Sequence, residues 1–285
     1  MPRPYMCFFC IPHVFFSTGC NFLQGQFVIQ SKQQKTTIMK KLLLTTALLV
    51  LAFGLTAQTR IATADFNGIR VTNAFNVLLV PSDKNEVVFP ENFEFPEVQP
   101  RVGRPHQRLT ANDLVSVSGN TLTIGYSDTH QNLRYIRSNN NNRRTSKHEI
   151  VIYFKSLESL RLSGAVNARS EQLIKGITLE INLSGASDAK LHVEFNQITT
   201  TLSGASDLTL TGKANLHKIR ASGASDTKAR NLETLHTEVT LSGSSDAGIS
   251  TRSVTGSASG ASDLHVNSDA DVNVKTSGAA SVKRR

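Results

Sequence analysis

From Thr178 to Leu183 apolar and polar residues alternate, with Leu179, Ile181 and Leu183 on one side and Glu180 and Asn182 on the other. That is the two-residue period of a strand with one buried face. Leu208 and Leu210 flank Thr209 in the same way, and Val239 with Leu241, Leu264 with Val266, and Val272 with Val274 repeat the theme. Between these strands one corner recurs: Ser184-Gly185-Ala186-Ser187-Asp188, Ser203 to Asp207, Ser222 to Asp226, Ser242-Gly243-Ser244-Ser245-Asp246 and Ser259 to Asp263. Variants of it stand at Ser163 to Asn167 and Ser277 to Ser281, so the seven corners begin 21, 19, 19, 20, 17 and 18 residues apart. No crossover helix fits such a period. Equivalent strands must stack parallel, coil on coil, at about 4.8 Å per step. The pattern predicts an all-β parallel solenoid of about six coils over residues 159–285.

The corner has a physical reading that needs no ligand. Gly185 and its equivalents can adopt positive φ where a strand changes direction. The following Ala is expected to point into the crowded corner, and the Ser and Asp after it to bond nearby backbone amides. Stacked copies would form a ladder of Asp188, Asp207, Asp226, Asp246 and Asp263. Like charges one strand spacing apart repel, so the ladder either splays into water or holds cations. These five carboxylates are the candidate binding residues.

Upstream, alternation persists but the period does not. Phe66 to Val71, Phe75 to Val80, Glu86 to Phe89, Leu114 to Val117, Thr121 to Ile124 and Glu149 to Phe154 read as strands, with a hairpin turn at Ser118-Gly119-Asn120. Residues 58–158 are therefore read as irregular β structure or first coils that cap the repeats. Pro90 to Pro105 and Gly125 to Lys147, the latter with the polar run Ser138 to Arg144, read as surface loops.

The N-terminus changes the picture of where the protein works. Met39-Lys40-Lys41, the apolar stretch Leu42 to Phe53, and Gly54-Leu55-Thr56-Ala57 read as a secretory signal cut after Ala57. Residues 1–38 then read as an upstream extension, with translation starting at Met39. The apolar run is too short for a comfortable membrane span of about 20 residues. The mature chain is expected beyond the inner membrane, in the periplasm, on the outer surface or secreted, with no transmembrane segment. Cys7, Cys10 and Cys20 all precede the cut, so the mature chain has no cysteine and no disulfide.

Charge excludes one partner class. The formal charge of +9 falls to +4 once the first 57 residues, which hold five cations and no acid, are set aside. From Ser159 onward 14 basic and 12 acidic residues are interspersed, so no single-sign field favours nucleic acid.

Catalytic and metal chemistry find little support. A glycosidase needs two carboxylates at a set separation with one pKa raised, whereas the corner acids recur regularly and Glu180, Glu194, Glu233 and Glu238 read as scattered over a solvated face. One carboxylate per coil offers too few anionic oxygens for strong calcium binding. His192, His217, His236 and His265 lie 25, 19 and 29 residues apart and do not make one ladder. No catalytic residue, metal site or cofactor is expected.

The serial Leu-Ser-Gly-Ala-Ser-Asp corners, the Phe66 to Val71 opening and the strands Phe75 to Leu79 and Asn120 to Ile124 resemble those of the auto-transporter adhesin head GIN domain family. The resemblance covers about residues 62–282 and implies a right-handed parallel β-helix exported by a Gram-negative cell. It brings no catalytic motif, and the long passenger and outer-membrane barrel of an autotransporter are not expected. The reading that follows is a cell-envelope protein without catalysis, binding extended polymers such as glycans, or serving a purely structural role. Phe195 is the only aromatic residue after Phe154, which weakens the usual stacking route to sugars.

Overall fold

The computed structural model describes residues 58–91, 93–99, 107–125, 134–135 and 149–285, and residues 58–285 form one compact unit. The expected extension and signal, residues 1–57, lie outside the described residues, as do the cysteines and the run Ser138 to Arg144.

The described chain is a β-solenoid of about seven turns with coils of about 19 residues. Its regular part is a set of long bent strands, Asn167–Gly185, Asp188–Leu202, Asp207–Ala221, Asp226–Leu241 and Asp246–Ala258, each paired parallel to the next. Each long strand covers two sides of a coil. On one side the stack continues upstream through Asn76–Pro81 and Glu149–Phe154 and ends downstream at Ser281–Arg284. On the other it runs from Thr121–Ile124 through Gly68–Val71 and Ser159–Gly164 into the long strands, and out to Asp271–Thr276. Register shifts near Arg169, Thr209 and Ala229 absorb the unequal repeat lengths.

The upstream half thus supplies strands to the same stacks. Its open end is closed by antiparallel pairing: Thr59–Ala62 on Glu86–Phe89, Glu86–Phe89 on Glu149–Phe154, and the hairpin of Val115–Ser118 with Thr121–Ile124 across Gly119. A short helix, Ala111–Leu114, has Thr110 and Asp113 as its capping box. The stretch read as a loop from Pro90 is in part a packing element, for Phe93 and Phe95 set their rings 5.0 and 5.4 Å from Phe89. Edge-on and tilted aromatic contacts of this kind seal the core beneath the loop.

The alternation seen in the sequence becomes columns in space. Leu122, Ile69, Leu160, Ile181, Thr200, Ile219 and Val239 occupy one inward column, all in register and all buried. Each coil buries its apolar face only because its neighbours do. Polar residues enter this core too: His217 is 1% exposed, with its Nε2 3.3 Å from Thr200 Oγ1.

The corners take positive φ at glycine, with Gly185 at 79° and Gly204 at 78°. The rest of the corner differs from expectation. Ala186, Ala205 and Ala224 face solvent, and it is the Ser that turns inward: Ser187, Ser206, Ser225, Ser245 and Ser262 are fully buried. Each of these hydroxyls donates to the carbonyl of the Ser three residues earlier, at 2.8 to 3.0 Å. The reason is backbone accounting. The amide of the alanine position already donates to the glycine carbonyl of the coil below, as Ala205 does to Gly185 at 2.8 Å. What the bend orphans is a carbonyl, and a buried carbonyl needs a donor.

Candidate functional site

The predicted Asp ladder exists as a structural column. Asp188, Asp207, Asp226, Asp246 and Asp263 pair in register from coil to coil, preceded by Asn167 and Asn76 and followed by Ser281. The column is not a bare row of charges. Lys228 Nζ donates to Asp207 Oδ2 at 2.8 Å and lies 3.8 Å from Asp226 Oδ2, and Lys283 Nζ lies 2.9 Å from Asp263 Oδ2. Asp263 also accepts from the Ser281 hydroxyl, and these two bonds hold its carboxyl below the usual carboxylate range. Asp226 goes the other way: partial burial, then the charges of Asp207 and Asp246 against that of Lys228, push its carboxyl up. Two lysines thus serve three of the five carboxylates, and among the described residues Asp188 and Asp246 have no ion-pair partner. Among the described residues no group of three or more His, Cys, Asp or Glu side chains is placed to hold a metal.

A second surface was not foreseen. Where each coil bends between its two sides, a groove of about 660 Å³ crosses successive coils. Its floor is the column Gly176, Phe195, Ala214, Thr234 and Thr251, in register. Beside the floor runs Lys175, Glu194, Lys213 and Glu233, so charge alternates at every step. Lys175 and Glu194 meet at 2.8 Å, and Lys213 and Glu233 at 3.4 Å. The Lys175 hydrogen bond, helped by the charge of Lys213, holds the Glu194 carboxyl below its ordinary value. Along the other wall stand Asn196 and Asn215, whose amides meet at 3.4 Å, then Leu235 and Arg252. Leu235 is 47% exposed and Ile177, beside Gly176, is 73% exposed. Phe195, by contrast, is only 4% exposed beneath Gly176, so its ring faces no ligand.

The acids read as scattered are thus ordered. Glu180, Glu194, Glu233 and Glu238 each face a cation of an adjoining coil: Arg161, Lys175, Lys213 and Lys218. The signal was present, for Lys175, Glu194, Lys213 and Glu233 are spaced 19, 19 and 20 residues, the same intervals as the corners from Ser184 to Ser242. The four repeat histidines do occupy separate columns, opposite Thr211, Ile198, Leu216 and Gly248 respectively.

A parallel solenoid with polar outward columns and an inward ladder of serines is the architecture of a β-helical repeat protein. Residues 110–270, more than half of the chain, match the family described as "Putative auto-transporter adhesin, head GIN domain", and the chain belongs to that family. Among solved structures, a putative adhesin from Bacteroides fragilis shares 18% identity and a TM-score of 0.62, over 80% of this chain and 96% of that one. A putative lipid binding protein from Parabacteroides distasonis gives 16% and 0.55, and a putative adhesin from the same species 17% and 0.52, with the same coverage. Identities this low establish a shared fold. No curated protein matches the chain. Among the described residues no helix is long and apolar enough to cross a membrane.

Proposed function

We propose that the chain is an exported, non-catalytic interaction module of the cell envelope, and that the groove at the second bend holds an extended polar polymer, a glycan being the class that fits best. The observation that carries this reading is the repetition of the groove's wall. Charged and amide side chains recur in register on successive coils, one strand spacing apart, so a polymer lying along the axis would meet similar donors and acceptors at each step. The alternating Lys and Glu leave no net field, which favours a neutral chain over a polyanion. Family membership supports export and a binding role. Pairing of the off-corner acids with cations supports the absence of catalysis, since an acid held ionised by a lysine is a poor proton donor.

The Asp edge is the second reading. It is favoured by Asp188 and Asp246, which stand exposed and without an ion-pair partner among the described residues. A glycan and extracellular-matrix array with residues 58–285, with and without calcium, separates the two. Three proteins are compared: the wild type, a variant with Asn196, Asn215 and Leu235 changed to Ala, and one with Asp188, Asp207, Asp226 and Asp246 changed to Asn. Loss of binding only in the first variant assigns the groove. Loss only in the second assigns the Asp edge, and a wild type that binds nothing leaves a structural envelope role.

A further inference from the structure

A cationic notch adjoins the downstream end of the groove, sharing Ser250 and Asn267 with it, and is built by four successive coils. It begins at the bulge after Ala229, where the register of adjacent strands slips. Arg230 leaves the sheet there, and its side chain crosses the next coil over Gly248: a methyl group on Gly248 would lie 2.7 Å from Arg230 Nε and 3.2 Å from its Cγ. Gly248 pairs in register with His265, so the guanidinium is carried toward the imidazole of the coil beyond. Arg285, whose amide donates to the Val266 carbonyl at 2.9 Å, closes the far side. The resulting space is about 160 Å³, lined by Arg230, His265, Arg285, Ser250 and Asn267 with Ile249 and Val266, and no acidic side chain lines it.

Two facts bear on what this cluster can hold. Among the described residues Arg230 and Arg285 have no ion-pair partner, a state they share with Lys190, Arg220, Arg252, Lys275 and Arg284, but, unlike those, they line one notch together. Moreover, His265 Nδ1 is buried with no hydrogen-bond partner. A buried ring nitrogen left unpaired costs stability, and the cost is removed if the position is filled by a group that can bond it. Burial first, then the positive charges of Arg285, Arg230 and Lys283, opposed by that of Asp263, hold this imidazole below its ordinary range. Converging cations in a notch lined by no acidic side chain are an environment that an oxyanion relieves, and guanidinium forks match its oxygens in pairs.

We propose that the notch bounded by Arg230, His265 and Arg285 binds an oxyanion, the sulfate, phosphate or carboxylate group of a ligand. Gly248 is part of the site, because its missing side chain is what lets Arg230 lie across the coil. The adjoining space of about 450 Å³ over Thr209, Asn231 and Gly248 shares Arg230 and His265 with the notch, carries Lys228 and the carboxylates of Asp226 and Asp246 on its walls, and leaves room for the remainder of a ligand whose anionic group lies in the notch. The notch shares Ser250 and Asn267 with the groove but none of the residues changed in the array variants, of which only Asp226 and Asp246 reach the adjoining space, and small ions test it whatever the polymer array returns.

The experiment follows histidine ring resonances of the purified protein by NMR during titration with sodium sulfate, sodium phosphate and sodium acetate, each against sodium chloride at equal ionic strength. His265 is assigned through His265→Gln. The expected result is a saturable shift of the His265 ring with at least one oxyanion, while buried His217 stays unmoved. Arg230→Gln and Arg285→Gln should each weaken that binding about tenfold, the loss of one charge-assisted contact. Gly248→Ala keeps every charge and a backbone conformation open to alanine, and it should weaken binding comparably by displacing Arg230. An unchanged His217 signal certifies the fold of each variant. The tightest of the three ions names the ligand group. No saturable shift with any of them, or a shift that survives both arginine substitutions, overturns the proposal.

Discussion

Gly204 sits on Gly185 so closely that a methyl group added to Gly204 would lie 2.5 Å from the Gly185 carbonyl oxygen. The same residue has φ of +78°. Two costs therefore fall on Gly204→Ala: the left-handed backbone conformation, about 1 to 2 kcal/mol, and a contact that forces the coils apart at a hydrogen bond. The Ala205 amide donates to that same carbonyl at 2.8 Å. Gly204→Ala is expected to destabilise by more than about 2 kcal/mol in urea unfolding. The neighbouring Ala205→Ser, exposed and matching the natural Ser244, should change stability by less than about 0.5 kcal/mol.

Ser206 tests the buried ladder. Its hydroxyl, fully buried, donates to the Ser203 carbonyl at 2.9 Å. Ser206→Ala leaves that carbonyl short of its donor and should cost about 1 to 3 kcal/mol. Ser206→Val is the informative partner, because Val166 occupies the equivalent place in the first corner and is 0% exposed. If the corner needed only volume, valine would restore stability. The hydrogen-bond account expects it not to, since Ser187 and Ser225 above and below keep the pocket at serine size.

His217 makes the solenoid acid-sensitive. Burial pushes its imidazole down to about 3, against an ordinary value of 6.5. The unfolded chain thus binds a proton between those values that the folded chain does not. Stability is fully present above about pH 6.5 and is lost as pH falls toward 3, with a slope of up to about 1.4 kcal/mol per pH unit. His217→Leu should flatten this part of the profile in urea titrations between pH 7 and 4. An unchanged slope would assign the acid sensitivity to other groups.

Much of this architecture could be read from spacing alone. A two-residue alternation identified which of Leu179, Glu180 and Ile181 faces inward, and the recurrence of Ser-Gly-Ala-Ser-Asp identified the stacking partner of each residue, because in a solenoid sequence period and spatial neighbour are the same relation. The inward turn of Ser187 and the outward turn of Ala186 escaped that logic. Side-chain polarity predicts exposure only where the backbone has no unmet need, and the bend leaves the Ser184 carbonyl in need of a donor. The groove escaped for another reason. Its floor column mixes Gly176, Phe195, Ala214 and Thr234, residues of no common type, so no motif marks it. The notch depends on a single bulge at Arg230, an irregularity that a periodic reading averages away.

The Asp column allows one further prediction with a definite sign. Asp226 is pushed up by burial and by its Asp207 and Asp246 neighbours more than Lys228 pulls it down. Its folded form therefore holds a proton that the unfolded form has lost over the interval just above the ordinary value of 3.8, so its ionisation opposes folding as pH rises through that interval. At neutral pH the charge on Asp226 is a net burden, and Asp226→Asn should raise the melting temperature. Asp263 differs, since bonds from Ser281 and Lys283 hold it ionised. Its ionisation supports folding above about 3.8 and the support is lost in acid, so Asp263→Asn should lower the melting temperature at pH 7. Opposite signs at two members of one ladder, measured side by side by calorimetry, would show that the corner charges act through their individual partners. Equal signs would show instead that the column behaves as one collective charge, which is the condition under which cation binding along it becomes the better account.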